Sequence, residues 1–237
     1  MINPTNSYII NFKKAGKVES KGIITSKFAI CLRENMKEKL TTRQLQAIQS
    51  KEKIRKQAIE LFKTTDYEEV LISDICKSIG MSVGSFYNYF SSKEDLIMDL
   101  YSSFDEFVEE DLSRRKYDSN IDAIKDALYQ LAKSAESHGI KLSSQMLRIQ
   151  LKCEKKYLNN NTRYFDYYVH QRVKNAIEEK EIVTTYSAEE ISSLLLRITR
   201  GTLYDWAMKN DPEYDSMPNK VLHDIGMILN SKLTALD

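Results

Sequence analysis

Hydrophobic residues recur every three or four positions along most of the chain, which is the spacing of one face of an α-helix. Glycine and proline, which interrupt helices, number only seven and three in 237 residues. An all-α fold is therefore predicted. The first helix is expected from about 41 or 50 to 63, followed by two short helices that end near 79 and 90. A fourth runs from 92 to beyond 107, and later helices are expected at 120–137, 143–157, 161–180, 187–209 and 218–233.

A tight turn is expected between the two short helices. Gly80 can stop the first of them, because glycine accepts a left-handed backbone without steric cost. Ser82 suits an N-cap of the second, since its hydroxyl can accept a hydrogen bond from a free amide one turn later. Only Gly80 and Met81 separate the expected helix end near Ile79 from Ser82, so the helices must cross sharply. That geometry is typical of a helix-turn-helix unit.

The second short helix has an apolar face and a face that suits DNA. Phe86 and Phe90 are four residues apart and can pack on the preceding helix. Tyr87 and Tyr89 lie largely on other faces, where phenol hydroxyls could bond phosphates. Gly84 sits where a stronger helix former would be more stable, so close approach to another molecule is one explanation. The alternatives are that Gly84 relieves crowding between helices and that the tyrosines belong to the core.

A run of residues through this turn matches a known family pattern in register. It consists of Asp74, Ile75, Cys76, Gly80, Met81, Ser82, Gly84, Ser85, Phe86, Tyr87, Tyr89, Phe90, Lys93, Glu94, Asp95 and Leu96. With these residues the chain resembles the TetR family of bacterial transcriptional regulators, over roughly positions 50 to 100. The resemblance implies an N-terminal three-helix DNA-binding domain followed by a C-terminal helical domain for ligand binding and dimerisation.

The resemblance also implies that the helix at 82–90 enters the major groove and that Lys93 grips phosphate. The DNA-binding residues predicted in this region are Ser73, Ser82, Val83, Gly84, Ser85, Tyr87, Asn88, Tyr89 and Lys93. Leu71 stands where the family commonly has a threonine, and Val83 occupies a position that is often basic or proline. Base recognition is therefore expected to depend more on Asn88 and on apolar contact with thymine methyl groups.

The charges are unevenly distributed, although the net charge is only +1. Between 36 and 63 basic residues outnumber acidic ones, whereas acidic residues predominate from 99 to 111. The basic end is expected to face DNA. Lys51 and Arg55, with Lys53 and Lys56, are the candidates for further phosphate contacts. The alternative is that these side chains only solvate the outside of a helix.

The last two predicted helices carry apolar stripes that suggest dimerisation. Their pattern matches the paired C-terminal helices through which TetR-like proteins form a four-helix bundle, and two reading heads on a palindromic operator would multiply a modest affinity. Gly201 would let the helices approach closely. The predicted interface comprises Leu194, Leu195, Ile198, Gly201, Trp206, Val221, Ile225 and Ile228. The alternative is that these residues form intramolecular core.

The middle helices are rich in aromatic residues with polar groups, which suit a mostly apolar pocket. In relatives such helices enclose an inducer cavity, so an unidentified small-molecule inducer is expected. The predicted pocket residues are Tyr101, Phe104, Phe107, Met146, Tyr164 and Tyr168. The histidines are isolated, and neither a metal-ligand pair nor a nucleophile-base signature occurs in the sequence. No metal, no cofactor and no enzymatic activity are expected.

Three regions are predicted from these patterns. An extension covers 1–35, the DNA-binding domain 36–96, and the effector-binding and dimerisation domain 97–237. The extension does not resemble the family. It is either an artefact of a start that belongs at Met36 or a basic arm that touches DNA. Three scattered cysteines, Cys31, Cys76 and Cys153, and the lack of a long apolar run favour a cytoplasmic protein without a membrane segment.

The function expected from these features is a dimeric transcriptional repressor that an inducer releases from its operator. A different possibility keeps the fold but makes the C-terminal domain a docking surface for a protein partner. The chain would then act as a co-regulator or DNA-organising factor. A mostly apolar cavity in the helical domain would favour the inducible repressor, whereas a filled core with an exposed apolar patch would favour the partner-binding protein.

Overall fold

The computed structural model describes residues 41–152, 163–209 and 216–230. It divides the chain into two compact units, Met1–Ala47 and Ile48–Asp237. In the first unit only residues 41–47 are described, and they begin a helix. The predicted extension at 1–35, with its alternative start at Met36, lies outside the described residues. So do Cys31, Cys153 and the predicted helix ends beyond 152 and beyond 230.

The predicted all-α fold is confirmed. Eight helices are described, and a short 3-10 turn, Leu112–Arg114, follows the fourth. They are α1 Thr42–Thr64, α2 Ile72–Ser78, α3 Val83–Phe86, α4 Lys93–Glu110, α5 Asn120–Lys152, α6 Tyr164–Glu178, α7 Ala188–Lys209 and α8 Met217–Leu229.

Local capping fixes where several helices begin. The Ser92 hydroxyl accepts a hydrogen bond from the amide of Asp95 at 3.0 Å, at the start of α4. Before α7, Ser187 and Glu190 form a reciprocal capping box: each backbone amide donates to the other side chain, at 2.8 and 3.3 Å. These caps satisfy amides that have no partner within the helix.

Helix α5 is interrupted in its middle by Gly139. The backbone there has φ 79° and ψ 163°, which a residue with a side chain rarely adopts. The sequence predicted separate helices at 120–137 and 143–157, and the structure has a break between them, at Gly139. The second half of α5, from 140 to 152, therefore takes its own direction.

Two hydrophobic clusters hold the second unit together. One joins the buried faces of α1 to α4 and includes Ile54, Phe62, Ile75 and Phe86, all fully buried. The second half of α5 contributes Leu142, Met146 and Ile149 to this same cluster. The other cluster lies among the end of α4, the first half of α5, and α6, α7 and α8. Helices α2 and α3 thus share a hydrophobic cluster with the second half of α5, and the domain boundary expected at 96 stays a prediction.

Candidate nucleic-acid interface and effector cavity

The turn before α3 has the geometry that the sequence predicted. Gly80 has a φ of +66°. The Ser82 hydroxyl then caps α3 by accepting a hydrogen bond from the Ser85 amide at 3.1 Å. Helices α2 and α3 are therefore separated by four residues and joined through a left-handed glycine, as a helix-turn-helix requires.

Helix α3 is shorter than the predicted helix at 82–90. Regular α-helix covers Val83–Phe86, and the chain then tightens into turns. The amide of Tyr89 donates to the carbonyl of Phe86 at 2.9 Å, and that of Phe90 donates to the same carbonyl at 3.1 Å. The backbone from Tyr87 to Phe90 therefore continues the helical turn in a tighter form, with hydrogen bonds like those in the last turn of many helices.

Two phenylalanines anchor this segment and leave its other face outward. Phe86 and Phe90 are 0 % and 2 % exposed, with ring centroids 5.6 Å apart. Tyr87 is 55 % exposed and Val83 is 41 % exposed. Of the predicted DNA-binding residues, those exposed are Ser73, Ser82, Val83, Gly84, Tyr87 and Asn88. Ser85 and Tyr89 are half-buried, and Tyr89 packs against the core.

Gly84 does not relieve crowding within the chain. A Cβ atom built there would meet only the Ser82 hydroxyl, at 3.9 Å, which is an ordinary contact. The internal explanation for this glycine, left open by the sequence, is therefore removed. An exposed glycine in a helix costs about 1 kcal/mol relative to alanine. Close approach by another molecule stays a prediction for this position.

Arg55 is placed differently from the prediction. Its guanidinium contacts Asp99 Oδ2 through Nη2 at 2.6 Å and through Nε at 2.9 Å, and its side chain is only 16 % exposed. Burial alone would lower the pKa of Arg55, but the carboxylates of Asp99 and Glu52 outweigh burial and raise that pKa. The predicted phosphate contact is thus corrected to an internal ion pair between α1 and α4.

Lys51 joins the same ion-pair group. Its ammonium lies 2.5 Å from Asp99 Oδ1 and 5.5 Å from the ring centre of Phe90. The side chain is 38 % exposed. Lys51 shares the single charge of Asp99 with Arg55, and its partly exposed ammonium is open to a second interaction with an external anion. The sequence missed Asp99, because an acid 48 positions away gives no local signal.

Lys93 also points into the protein. Its ammonium donates to the carbonyl oxygen of Val70 at 2.7 Å and to that of Tyr67, and it lies 4.3 Å from the Tyr67 ring centre. Burial lowers the pKa of Lys93. The predicted phosphate grip is corrected to a clamp that holds the loop before α2 against the start of α4.

A mostly apolar cavity of about 80 Å³ lies in the helical domain. Tyr101, Phe104 and Met146 line it as predicted, whereas Phe107, Tyr164 and Tyr168 do not. Phe107 and Tyr168 are instead buried in the neighbouring hydrophobic cluster, and Tyr164 packs against that cluster. The lining residues that the sequence did not indicate are Leu100, Leu131, Ser134, Ala135, His138, Ser143, Leu147, Arg163, Phe165, Arg200 and Leu203. They come from five segments whose convergence depends on helix packing.

The polar groups of the cavity include a neutral histidine and two arginines. Burial, together with the charge of Lys63, lowers the pKa of His138 to about 4. Arg163 is 3 % exposed and binds Asp105 of α4 through two hydrogen bonds, at 2.9 and 3.2 Å. Arg200 of α7 donates to Asp166 of α6 at 3.0 Å. Burial raises the pKa of Asp166, although Arg163 and Arg200 oppose this.

The predicted dimer residues fall into two groups. Leu195, Trp206, Val221 and Ile225 are buried within the chain itself, at 0 to 7 % exposure, and so belong to its own core. This corrects their assignment, because a side chain already covered by its own helices cannot be covered by a partner. Leu194, Ile198 and Ile228 are half-buried, and Gly201 is exposed.

Other apolar side chains of α7 and α8 are more exposed than the predicted set. Tyr204, Met208 and Met227 are 51 %, 62 % and 58 % exposed. Tyr204 and Met208 lie on the same face of α7 as Gly201, at spacings of three and four residues. A Cβ atom at Gly201 would meet no atom within 4 Å. The sequence missed this face because its apolar residues are fewer than those of the buried stripe.

Among the described residues, no group of three or more histidine, cysteine, aspartate or glutamate residues is placed to hold a metal ion. No helix in 41–152, 163–209 or 216–230 is long and apolar enough to cross a membrane.

Comparison with known proteins gives a consistent result. Residues 54–100 match the family described as bacterial regulatory proteins, tetR family. Salmonella enterica GusR has a TM-score of 0.61 and 20 % identity, over 81 % of this chain and 100 % of that one. A putative TetR-family transcriptional regulator from Syntrophomonas wolfei has a TM-score of 0.60 and 18 % identity, over 76 % and 95 %.

A third solved structure is the transcriptional regulator FadR from Bacillus subtilis in complex with stearoyl-CoA. Its TM-score is 0.55 and its identity 21 %, over 76 % of this chain and 97 % of that one. No curated protein sequence matches the chain. The matched residues 54–100 contain the helix-turn-helix described above, and the neighbours share the helical fold that follows it. Residues 54–100 therefore resemble the tetR family of bacterial regulatory proteins in sequence, and the described chain shares the fold of the solved structures.

Proposed function

We propose that this protein is a transcriptional regulator of the tetR type, a dimeric repressor that occludes a palindromic operator and is released by a small-molecule inducer. The observation that carries the proposal is the outward face of α3. Val83, Gly84, Tyr87 and Asn88 are exposed together, while Phe86 and Phe90 fix the segment from beneath. A rigid, exposed, short helix with uncharged polar and apolar groups suits a major groove.

The residues on this face have complementary roles in the proposal. Asn88 can make paired hydrogen bonds to an adenine edge, and Val83 can contact a thymine methyl group. Tyr87 offers a hydroxyl to phosphate. Gly84 lets the backbone approach the duplex, since nothing within the chain occupies the space over it.

Dimerisation through α7 and α8 would supply the second DNA-binding domain that a palindromic operator requires. The exposed face of Gly201, Tyr204 and Met208, with Met227 on α8, is apolar and its glycine leaves room for a close helix. A second copy of the chain is the occupant that a palindromic site requires. This face also fits the alternative in which a different protein docks on the C-terminal domain. The oligomeric state distinguishes the two.

Ligand binding in the cavity would affect the helix-turn-helix through two helices, α4 and α5. Helix α4 carries Leu100, Tyr101 and Phe104 at the cavity and begins at the Lys93 clamp. The second half of α5 carries Met146 at the cavity, and its Gln145 donates to the carbonyls of Phe62 and Thr65 at the end of α1, at 3.2 and 3.3 Å. A ligand that displaces these helices would move both reading heads. The acyl-CoA in the FadR complex supports a ligand-responsive function for this fold.

Operator binding tests the proposal directly. Tyr87→Ala should weaken binding to a palindrome found by footprinting upstream of the protein's own gene, by about tenfold for a lost phosphate contact and ring. Tyr167→Ala is the matched control, because that tyrosine is 56 % exposed but lies on α6. Equal affinities for the two variants in fluorescence anisotropy would refute the placement of α3 in the groove.

The dependence of operator affinity on salt and the oligomeric state in solution give two further tests. The logarithm of the affinity should fall with the logarithm of salt concentration, with a slope of about −0.9 for each phosphate neutralised.

Met227→Glu should produce monomers in sedimentation experiments. Val183→Glu is the control and should leave the dimer intact, because Val183 is 67 % exposed in the α6–α7 connection. A flat salt response or a dimer that survives Met227→Glu with Tyr204→Glu would contradict the proposal.

A further inference from the structure

The side chains around the cavity have an asymmetric charge. Two arginines, Arg163 and Arg200, line it, and the described lining residues include no carboxylate. His138 is neutral at pH 7, because burial and Lys63 hold its pKa near 4. The balancing acids, Asp105 and Asp166, lie outside the lining. The charged groups that line the cavity are therefore two ion-paired guanidiniums, which can only donate hydrogen bonds to a bound molecule.

The two arginines differ in how much of their hydrogen-bonding capacity is used. Arg163 is 3 % exposed, and its Nε and Nη2 both bond the carboxylate of Asp105. Arg200 is 29 % exposed, and within the described residues its Nη2 donates a hydrogen bond to Asp166 Oδ2. A guanidinium has five N–H donors in a planar fork that matches a carboxylate. Arg200 is thus the group with donors to offer.

The rest of the lining suits a short hydrocarbon body. The apolar walls are provided by Leu131, Leu147, Phe165, Leu203 and Phe104, and the rings of Phe104 and Phe165 lie 5.4 Å apart. A volume of about 80 Å³ is roughly half that of an engineered 150 Å³ cavity that takes benzene in another protein. An unbranched chain of about three to six carbons is the size that this space and the flexible Met146 can receive.

We propose that the cavity binds a small apolar monocarboxylate, with its carboxylate on Arg200 and its hydrocarbon chain against the leucine and phenylalanine walls. This inference rests on the proposed inducer cavity and names the chemical class of its ligand. Asp166 competes with the ligand for Arg200, so binding requires the guanidinium to turn part of its fork toward the cavity. A neutral or cationic analogue gains nothing from that turn.

Three four-carbon probes that differ in charge test the proposal on the full chain. Butanoate, butan-1-ol and butylammonium are titrated separately, and binding is followed from the NMR shifts of methionine methyl groups, which report on Met146. Butanoate should bind about tenfold more tightly than butan-1-ol, as expected for a charge-assisted hydrogen bond, and butylammonium most weakly. Equal affinities, or no shift with any probe, would overturn the assignment.

Two variants distinguish an anion site from a general apolar cavity. Arg200→Gln should remove the advantage of butanoate over butan-1-ol while leaving the affinity for butan-1-ol unchanged. Asp166→Asn should strengthen butanoate binding several-fold, because it removes the competing carboxylate and keeps the shape of the side chain. A merely structural role for the Arg200–Asp166 pair predicts that both variants weaken all three probes together, and that result would overturn the proposal.

The ligand class and the repressor function fail in different ways. If the dimer binds its operator but butanoate shows no charge-dependent binding, the class is wrong and the repressor proposal stands. If butanoate binds through Arg200 but operator affinity never depends on Tyr87, the cavity assignment stands and the DNA-binding proposal fails.

Discussion

Arg55 in α1 and Asp99 in α4 are joined through a single carboxylate oxygen, Asp99 Oδ2, which lies 2.6 Å from Nη2 and 2.9 Å from Nε of the arginine. Lys51 takes the other oxygen of Asp99 at 2.5 Å. One acid on α4 thereby holds two bases on α1. Both bases were predicted to contact DNA phosphate, but in the structure they join α1 to α4.

Asp99→Asn should lower the free energy of unfolding by about 2 kcal/mol, because it removes the carboxylate that Arg55 and Lys51 share, while Arg55 keeps Glu52 at 2.8 Å. Urea unfolding followed by circular dichroism at pH 7 measures this. Glu60→Gln is the control, since the pair of Glu60 with Lys63 is more exposed and should be worth less than about 1 kcal/mol. Equal losses for the two variants would show that the Asp99 contacts do not stabilise the fold.

Lys93→Ala should reduce stability by about 2 kcal/mol, since the carbonyls of Tyr67 and Val70 lose their donor. Scanning calorimetry should show a lower Tm than that of Lys56→Ala, whose lysine is 53 % exposed. Weaker operator binding by the Lys93 variant would then reflect a displaced loop before α2. An unchanged Tm would restore the view that Lys93 serves DNA alone.

Gly84→Ala should separate stability from binding. In the free protein the new methyl group meets open space, so α3 should gain up to about 1 kcal/mol. Operator affinity should fall by about tenfold, because the methyl group would stand between the backbone and the duplex. Thermal unfolding and anisotropy on the same sample measure both effects, and a more stable variant with undiminished affinity would contradict close approach at this position.

Acid should destabilise the protein through His138. The pKa of its folded form, about 4, lies below the ordinary value of 6.5, so its contribution to stability is complete above pH 6.5 and is lost as the pH falls toward 4. The loss should reach up to about 3 kcal/mol, at about 1.4 kcal/mol for each pKa unit. His138→Gln should flatten this part of the stability profile, while the exposed His223→Gln should leave it intact. Parallel profiles for all three proteins would exclude His138 as the cause.

Local signals in the sequence were sufficient to predict the helix-turn-helix, that is, α2, α3 and the turn between them. Gly80, the cap at Ser82 and the Phe86–Phe90 face act over a few residues, so their geometry could be predicted without any knowledge of packing. The break at Gly139 was predictable for the same reason. Even here the helix at 82–90 proved shorter, because its last turn tightens where Phe90 enters the core.

The partners of charged residues could not be predicted in this way. Arg55, Lys51 and Lys93 were all assigned to phosphate, but each is held by groups 23 to 48 positions away in the sequence. Whether a base faces solvent or an internal acid depends on the rotation of its helix within the fold. The same limit applied to the aromatic residues, of which Tyr101 and Phe104 line the cavity and Phe107 does not.

By itself, the sequence determined the all-α class, the turn and caps of the helix-turn-helix, and the face of α3 that is exposed, because each follows from backbone preferences and spacing within one or two helical turns. Only the tertiary structure decided that Leu195, Trp206, Val221 and Ile225 are internal, that Arg163 and Arg200 meet at one cavity, and that Asp99 holds α1 to α4. Those outcomes depend on which helices pack together and at what rotation, and that is set by the burial of many side chains at once.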